Sequence, residues 1–191
     1  LVHISSDYLC DGTQTEPITE TTTPHPLNVY GASKLAGEKA ILDSGCRYYI
    51  FRTSWLYAPW GDNFVRFMLR LATERDTLYV VDDQIGTPTY APKLAEAILR
   101  VIRSNSVPEQ QIFNYSSEGE CSRYDMIALA VRAAGFELCK VLPCASSLFP
   151  TKAVRPVYSV LHKGKIRHSL HCYIDDWEDT LFEFIQYDLS L

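Results

Sequence analysis

Strand-like and helix-like segments alternate in the first 53 residues, and this order restricts the fold more than any other feature of the chain. Residues 1–5 form an apolar run typical of a buried strand, and residues 47–53 form a second run rich in aromatic side chains. Between them, residues 30–43 read as a helix, with Asn28 suited to cap its N-terminus. A strand, a helix and a second strand in this order predict a parallel βαβ unit.

Predicted helices and strands continue to alternate along the rest of the chain. Apolar residues at positions 64, 67, 68 and 71 form a stripe typical of a helix that faces a core. Residues 82–89 are polar and turn-like. Further segments are predicted as helices over 63–75, 91–103, 122–134 and about 175–187, and as strands over 78–81, 111–116 and 136–142.

Charge and cysteine usage exclude several classes of function. The net charge of -5 argues against nucleic acids and acidic membranes, which both favour basic patches, and a small soluble partner fits better. The six cysteines include no Cys-x-x-Cys pair, so a cytoplasmic protein with reduced thiols and no metal is expected. No apolar run approaches the roughly 18 residues that span a bilayer. Because the chain opens directly on a strand without a methionine, we expect an N-terminal part to precede it.

The spacing of Tyr30 and Lys34 suggests acid chemistry. Residues four apart lie on one face of a helix, so the ammonium group can act on the phenol. A nearby positive charge favours the phenolate and makes a phenol a better proton donor near neutral pH. The spacing alone is weak, because most such pairs are ordinary surface contacts.

Motifs in the right order along nearly the whole chain strengthen this interpretation. The chain resembles the extended short-chain dehydrogenases, and within them the dTDP-4-dehydrorhamnose reductase branch. The motifs that carry the resemblance are Ile4-Ser5-Ser6-Asp7-Tyr8, Asp11-Gly12, the segment from Pro26 through Tyr30-Gly31 and Lys34 to Glu38, Arg52-Thr53-Ser54-Trp55, Asn63-Phe64, the segment Asp82 to Thr89, and Arg155-Pro156 with Tyr158 to Leu161.

The resemblance implies a catalytic set of Ser6, Tyr30 and Lys34. Reduction of a sugar C4 carbonyl builds negative charge on its oxygen, which needs a hydrogen-bond donor and then a proton. Ser6 would donate a hydrogen bond to that oxygen and Tyr30 would give the proton. Lys34 would favour the phenolate form of Tyr30. The family further implies that NADPH or NADH binds at Ser5, Ser6, Tyr30 and Lys34.

Substrate contacts are expected from a second set of residues, each with a plain structural alternative. The alternatives are a cap for Asp7, a packed aromatic for Tyr8 or Trp55, a surface turn for Gln84 and Thr87, and a solvated side chain for Arg155. A guanidinium matches phosphate geometry, so Arg155 is the candidate for the substrate's diphosphate. The predicted substrate-binding residues are Asp7, Tyr8, Trp55, Gln84, Thr87 and Arg155.

The resemblance also sets the expected fold and its boundaries. It implies an α/β fold with a partial Rossmann-like, doubly wound and mainly parallel sheet plus a small α/β substrate-binding subdomain. Residues 1–60 would complete the NAD(P)-binding domain, and 61–191 would be mainly the subdomain with interleaved Rossmann elements. No glycine-rich phosphate-binding turn occurs in the chain, so the isolated polypeptide is expected to be inactive. The exposed edge of the first strand would favour a homodimer.

Departures from the family pattern leave other functions open. Cys10 replaces a usual Phe, and Arg123 and His162 stand where Trp and Asp are common. The alternatives are another nucleotide-sugar reductase or epimerase of the family, and a non-catalytic regulatory or binding subunit on the same fold.

Overall fold

A computed structural model of the protein describes residues 1–188, and a three-stranded parallel sheet lies at its amino-terminal side. Its strands are β1 (Val2–Ser6), β2 (Tyr49–Thr53) and β7 (Gln111–Asn114), in the order β1-β2-β7. Helix α1 (Val29–Asp43) connects β1 to β2. The predicted parallel unit is therefore confirmed, and the register places the last residue of β1, Ser6, opposite the last residue of β2.

Helix α1 begins as the sequence predicts and is fixed to the sheet by a buried ion pair. The side chain of Asn28 accepts a hydrogen bond from the backbone N–H of Gly31 at 2.9 Å. The guanidinium of Arg52 in β2 donates to both carboxylate oxygens of Glu38 in α1, at 2.9 and 2.7 Å. Both side chains are almost wholly buried, so the pair locks the helix against the strand.

The remaining elements alternate between short strands and helices. In chain order they are β3 (Leu56–Tyr57), α2 (Phe64–Glu74), β4 (Thr77–Val81), β5 (Ile85–Gly86), β6 (Thr89–Tyr90), α3 (Ala91–Arg103), β8 (Cys121–Ser122), α4 (Arg123–Ala133), β9 (Lys140–Cys144), α5 (Gly164–Leu170) and α6 (Trp177–Glu183). The segments Asp7–Leu9 and Ser146–Leu148 are 3₁₀ turns, and a π-helical turn, Phe184–Asp188, follows α6. The pairs β3–β6 and β4–β9 are parallel, and β5–β8 is antiparallel.

Two large apolar cores and one small apolar cluster hold the described elements together. Phe51, Phe113 and Ile166 belong to a core beside the main sheet. Leu69 and Ile127 belong to a larger core formed mainly by α2, α4, α6 and β4. Because β7 returns to the main sheet after α2 and β4, the chain passes between the two cores more than once. The mainly parallel α/β class is confirmed.

The structure corrects two local predictions and adds one helix that the sequence analysis does not predict. Residues 82–89 contain β5 and the start of β6, and Gly86 to Thr89 are buried, so the surface-turn interpretation is wrong. The strand expected over 136–142 lies at β9, because a tight turn closes with a hydrogen bond from the Cys139 N–H to the Phe136 carbonyl. Helix α5 was not predicted, and its short length leaves little periodic signal.

None of the helices in residues 1–188 has both the length and the apolar character needed to cross a membrane.

Candidate active site

The carboxyl end of β1 runs directly into the 3₁₀ turn Asp7–Leu9, and this junction forms the floor of the candidate site. The hydroxyl of Ser6 accepts a hydrogen bond from the Tyr8 N–H at 3.1 Å and donates to Oδ1 of Asp7 at 3.0 Å. Ser6 therefore caps the turn, while its hydroxyl proton is directed at a carboxylate. Ser6 and Asp7 are both buried.

Tyr30 and Lys34 lie one turn apart near the start of α1, above this junction. The Nζ atom of Lys34 is 5.8 Å from the centre of the Tyr30 ring and donates to the carbonyl of Ile4 in β1 at 3.1 Å. The Tyr8 and Tyr30 rings meet edge to face, with centroids 5.6 Å apart. Tyr30 is half exposed, so its phenol is open to a ligand. The spacing of four residues thus places both side chains beside the end of β1.

Gly31 sets the distance between α1 and the 3₁₀ turn. A Cβ atom at this position would lie 2.1 Å from the carbonyl oxygen of Tyr8 and 2.9 Å from Cβ of Pro26. The first turn of α1 can approach this closely only because residue 31 has no side chain. Gly31 therefore determines where the neighbouring Tyr30 lies relative to Ser6.

Asp7 is the most perturbed carboxyl group beside the site. Burial raises the pKa of Asp7 from 3.8 to about 6, because a charged carboxylate is poorly solvated there. The hydroxyls of Ser159 and Ser6 and the positive charge of Arg123 oppose this rise in pKa. A carboxyl group with its pKa raised to about 6 is a feature that clusters at functional sites.

Trp55 has a strained backbone directly after β2. Its φ of 43° lies in the left-handed region, which bulky residues rarely adopt. A Cβ atom on Gly86 would lie 2.7 Å from the Trp55 ring, so this glycine leaves the space that the indole fills. Strain held in place by packing is a feature of ligand sites.

An open cavity of about 440 Å³ lies between α2, β4 and the segment that contains Phe149 and Arg155. Gln84 and Arg155, both predicted to contact substrate, line it together with Arg123. Thr87 does not: it is fully buried and its hydroxyl donates to the carbonyl of Gly119 at 2.8 Å. The structure thus brings Ser6, Asp7, Tyr8, Tyr30 and Lys34 together, and places Gln84 and Arg155 at the cavity.

Comparison with known proteins gives the family. A family model described as "RmlD substrate binding domain" matches residues 1–189. The chain belongs to the RmlD substrate binding domain family.

Two similar proteins are named as reductases of dTDP-linked sugars. The chain is 40% identical over 185 residues to the dTDP-4-dehydrorhamnose reductase of Salmonella typhimurium strain LT2, covering 93% of this chain and 62% of the relative. It is 38% identical to the dTDP-4-keto-6-deoxy-D-glucose reductase of Streptomyces niveus, covering 95% and 62%.

A solved structure is similar over the same range. The dTDP-4-dehydrorhamnose reductase of Bacillus anthracis, in complex with NADP, superimposes with a TM-score of 0.90 at 37% identity, covering 96% of this chain and 64% of that chain. The chain therefore spans less than two thirds of the length of these relatives.

Two residues of the site lie outside the predicted set. Ser159 acts on Asp7, and Arg123 lies over the Trp55 ring with its Cζ atom 4.3 Å from the ring centre. Arg123 is the first residue of α4 and lies between Ser122 and Asp125, which form a capping box. The capping box predicts where α4 starts, but no sequence signal brings Arg123 to Trp55, which is distant along the chain. The sequence singles out Arg123 only because it stands where Trp is common in the family.

Proposed function

We propose that this chain is the substrate-side part of an NAD(P)H-dependent reductase that converts the C4 keto group of dTDP-4-dehydro-L-rhamnose to the hydroxyl of dTDP-L-rhamnose. The observation that carries the proposal is the grouping of Tyr30 and Lys34 on one helix turn beside Ser6 at the end of β1. The name of the Salmonella typhimurium relative supports the choice of substrate.

The acid in this proposal is the phenol of Tyr30. As hydride reaches the C4 carbon, negative charge grows on the carbonyl oxygen, and Tyr30 donates its proton to that oxygen. The ammonium of Lys34 stabilises the phenolate that remains. Lys34 uses one of its three N–H donors on the Ile4 carbonyl, which fixes its position. Within residues 1–188 the other two donors are left for a ligand.

Ser6 supplies the second donor to the developing oxyanion. Its hydroxyl proton is directed at Asp7 before substrate arrives, so it must turn from the carboxylate to the carbonyl oxygen. Protonation of Asp7 weakens the competing hydrogen bond, because a neutral carboxyl is a poorer acceptor than a carboxylate. Ser6 keeps its place through this exchange, since the Tyr8 N–H still holds its oxygen.

Residues at the end of β1 fit a nicotinamide cofactor. Ser5 is buried, and its hydroxyl has no hydrogen-bond partner within the part of the chain that the structure describes. With the free donors of Lys34, it offers polar groups suited to ribose hydroxyls. When bound, the cofactor would supply the hydride. The NADP complex of the Bacillus anthracis relative supports this assignment.

Replacement of the proposed acid tests the function. In the intact reductase that carries this chain, Tyr30→Phe should lower turnover of dTDP-4-dehydro-L-rhamnose by roughly 100-fold or more, by the usual size of general-acid effects. NADPH consumption measures turnover, and Tyr173→Phe, an exposed tyrosine remote from the site, is the control. Near-normal turnover of Tyr30→Phe would refute the role of the phenol.

A second candidate is reduction of a different dTDP-keto sugar. The Streptomyces niveus relative, with nearly the same identity, is named for dTDP-4-keto-6-deoxy-D-glucose. Chromatography of the products formed from both keto sugars would distinguish the two reactions.

The same proposal includes the predicted division at residue 60, the cytoplasmic location and a homodimer. Sedimentation at several concentrations tests the homodimer.

A further inference from the structure

Arg123 occupies an unusual position between aromatic rings. Its Cζ atom lies 4.3 Å from the centre of the Trp55 ring and 5.2 Å from that of Phe64. Contacts of this kind hold a guanidinium plane in a fixed orientation and leave its edge, which carries the N–H donors, available for polar partners. The two rings therefore orient the donors of Arg123.

Those donors are not fully used. The Nε atom of Arg123 is buried and has no hydrogen-bond partner among residues 1–188. Tyr8 forms a side-chain hydrogen bond with Arg123, and Asp7 acts on it only through charge. A buried donor without a partner costs free energy. A guanidinium with five N–H donors is therefore suited to donate hydrogen bonds to an anionic ligand here.

A second guanidinium faces the same cavity. Arg123 and Arg155 both line it, and burial together with the positive charge of Arg155 lowers the pKa of Arg123 from its ordinary value. Two like charges in a partly enclosed space repel, and an anion placed between them would relieve the repulsion. Asp7, a carboxyl group whose charge acts on Arg123, is itself buried and bound by Ser6.

Arg123 also links the two parts of the candidate site. On one side it contacts Tyr8, whose ring meets that of Tyr30, and on the other it lines the cavity with Gln84 and Arg155. A nucleotide sugar that places its sugar at Tyr30 and its nucleoside in the cavity must bring its diphosphate past Arg123.

We propose that Arg123 binds the phosphate adjacent to the sugar, and that Arg155, which is exposed at the cavity, binds the phosphate adjacent to the nucleoside. The inference rests on the proposed function, because it takes a nucleotide sugar as the ligand. It assigns a ligand contact to a position at which this chain departs from the residue common in its family.

The test compares dTDP with thymidine, which lacks the phosphates. Arg123→Met removes the charge and keeps a long apolar side chain between the rings. It should weaken dTDP binding by roughly 10-fold to 100-fold, the range of a lost charge-assisted contact, while thymidine binding stays within about twofold. Arg123→Lys, which keeps the charge without the planar fork, should fall between. Arg103→Met, at the exposed end of α3, removes the same charge away from the cavity.

Calorimetry with dTDP and ligand-observed NMR with thymidine give the two affinities, and circular dichroism checks the fold of each variant. Unchanged dTDP affinity in Arg123→Met would overturn this inference alone. Equal losses for dTDP and thymidine would also overturn it, because they would assign Arg123 to the structure of the pocket. Absence of dTDP binding by the unsubstituted chain would overturn the proposed nucleotide-sugar site, and the inference with it.

Discussion

Two glycines of α1 should respond in opposite directions when each is replaced by alanine. At Gly31 the new Cβ would lie 2.1 Å from the Tyr8 carbonyl oxygen, so the helix or the 3₁₀ turn must move by about 1 Å. At Gly37 the nearest atoms, in the His3 ring, are 3.5 and 3.6 Å away, which is ordinary contact. Gly37 lies in the helix interior, where alanine is favoured over glycine.

The expected free energies follow from these contacts. Gly31→Ala should lower the free energy of unfolding by about 1–3 kcal/mol or more, as for overpacked sites. Gly37→Ala should raise it by about 0.5–1 kcal/mol, mainly because alanine restricts the unfolded chain and suits the helix. With an m value of about 2 kcal/mol/M, the urea midpoint falls by about 1 M in the first variant and rises by about 0.3 M in the second.

Urea unfolding followed by circular dichroism measures both variants against the unsubstituted chain. Because both substitutions add one methyl group to the same helix, Gly37→Ala controls for helix propensity. Gly31→Ala with a midpoint equal to or above that of the unsubstituted chain would refute the close packing of α1 on the 3₁₀ turn. In the proposed reductase, Gly31→Ala should also reduce turnover, because it displaces Tyr30.

Two further predictions concern buried charges. Glu38→Gln should lower the free energy of unfolding by about 3–5 kcal/mol in urea denaturation, because it leaves the Arg52 guanidinium buried without its counter-charge; a loss under about 1 kcal/mol would show that the pair contributes little. For Asp7, the folded pKa of about 6 lies above the ordinary value of 3.8, so the folded state binds the proton more tightly and stability falls as pH rises from about 4 to 6. The Asp7→Asn variant has no carboxyl group to ionise at this position. Its free energy of unfolding, relative to that of the unsubstituted chain, should therefore rise by on the order of 3 kcal/mol over that interval and then level off. Stability curves that stay parallel from pH 4 to 7 would contradict the raised pKa.

The sequence alone determined the local elements that carry the reacting groups. The apolar run of β1, the Asn28 cap and the spacing of Tyr30 and Lys34 predict a strand, a helix start and a shared helix face, because each depends on residues close together in the chain. The resemblance supplied the order of the motifs and the family. The roles of Ser6, Tyr30 and Lys34 stay predictions until the variants are measured.

Only the tertiary structure decided which distant residues meet. It buried Thr87, whose hydroxyl donates to the carbonyl of Gly119, although Gln84, three residues earlier, lines the cavity. It also brought Arg123 from the start of α4 onto the Trp55 ring beside Asp7, where burial changes the pKa of both charged groups. Desolvation and contact depend on packing between elements far apart in the chain, and local sequence patterns do not record that packing.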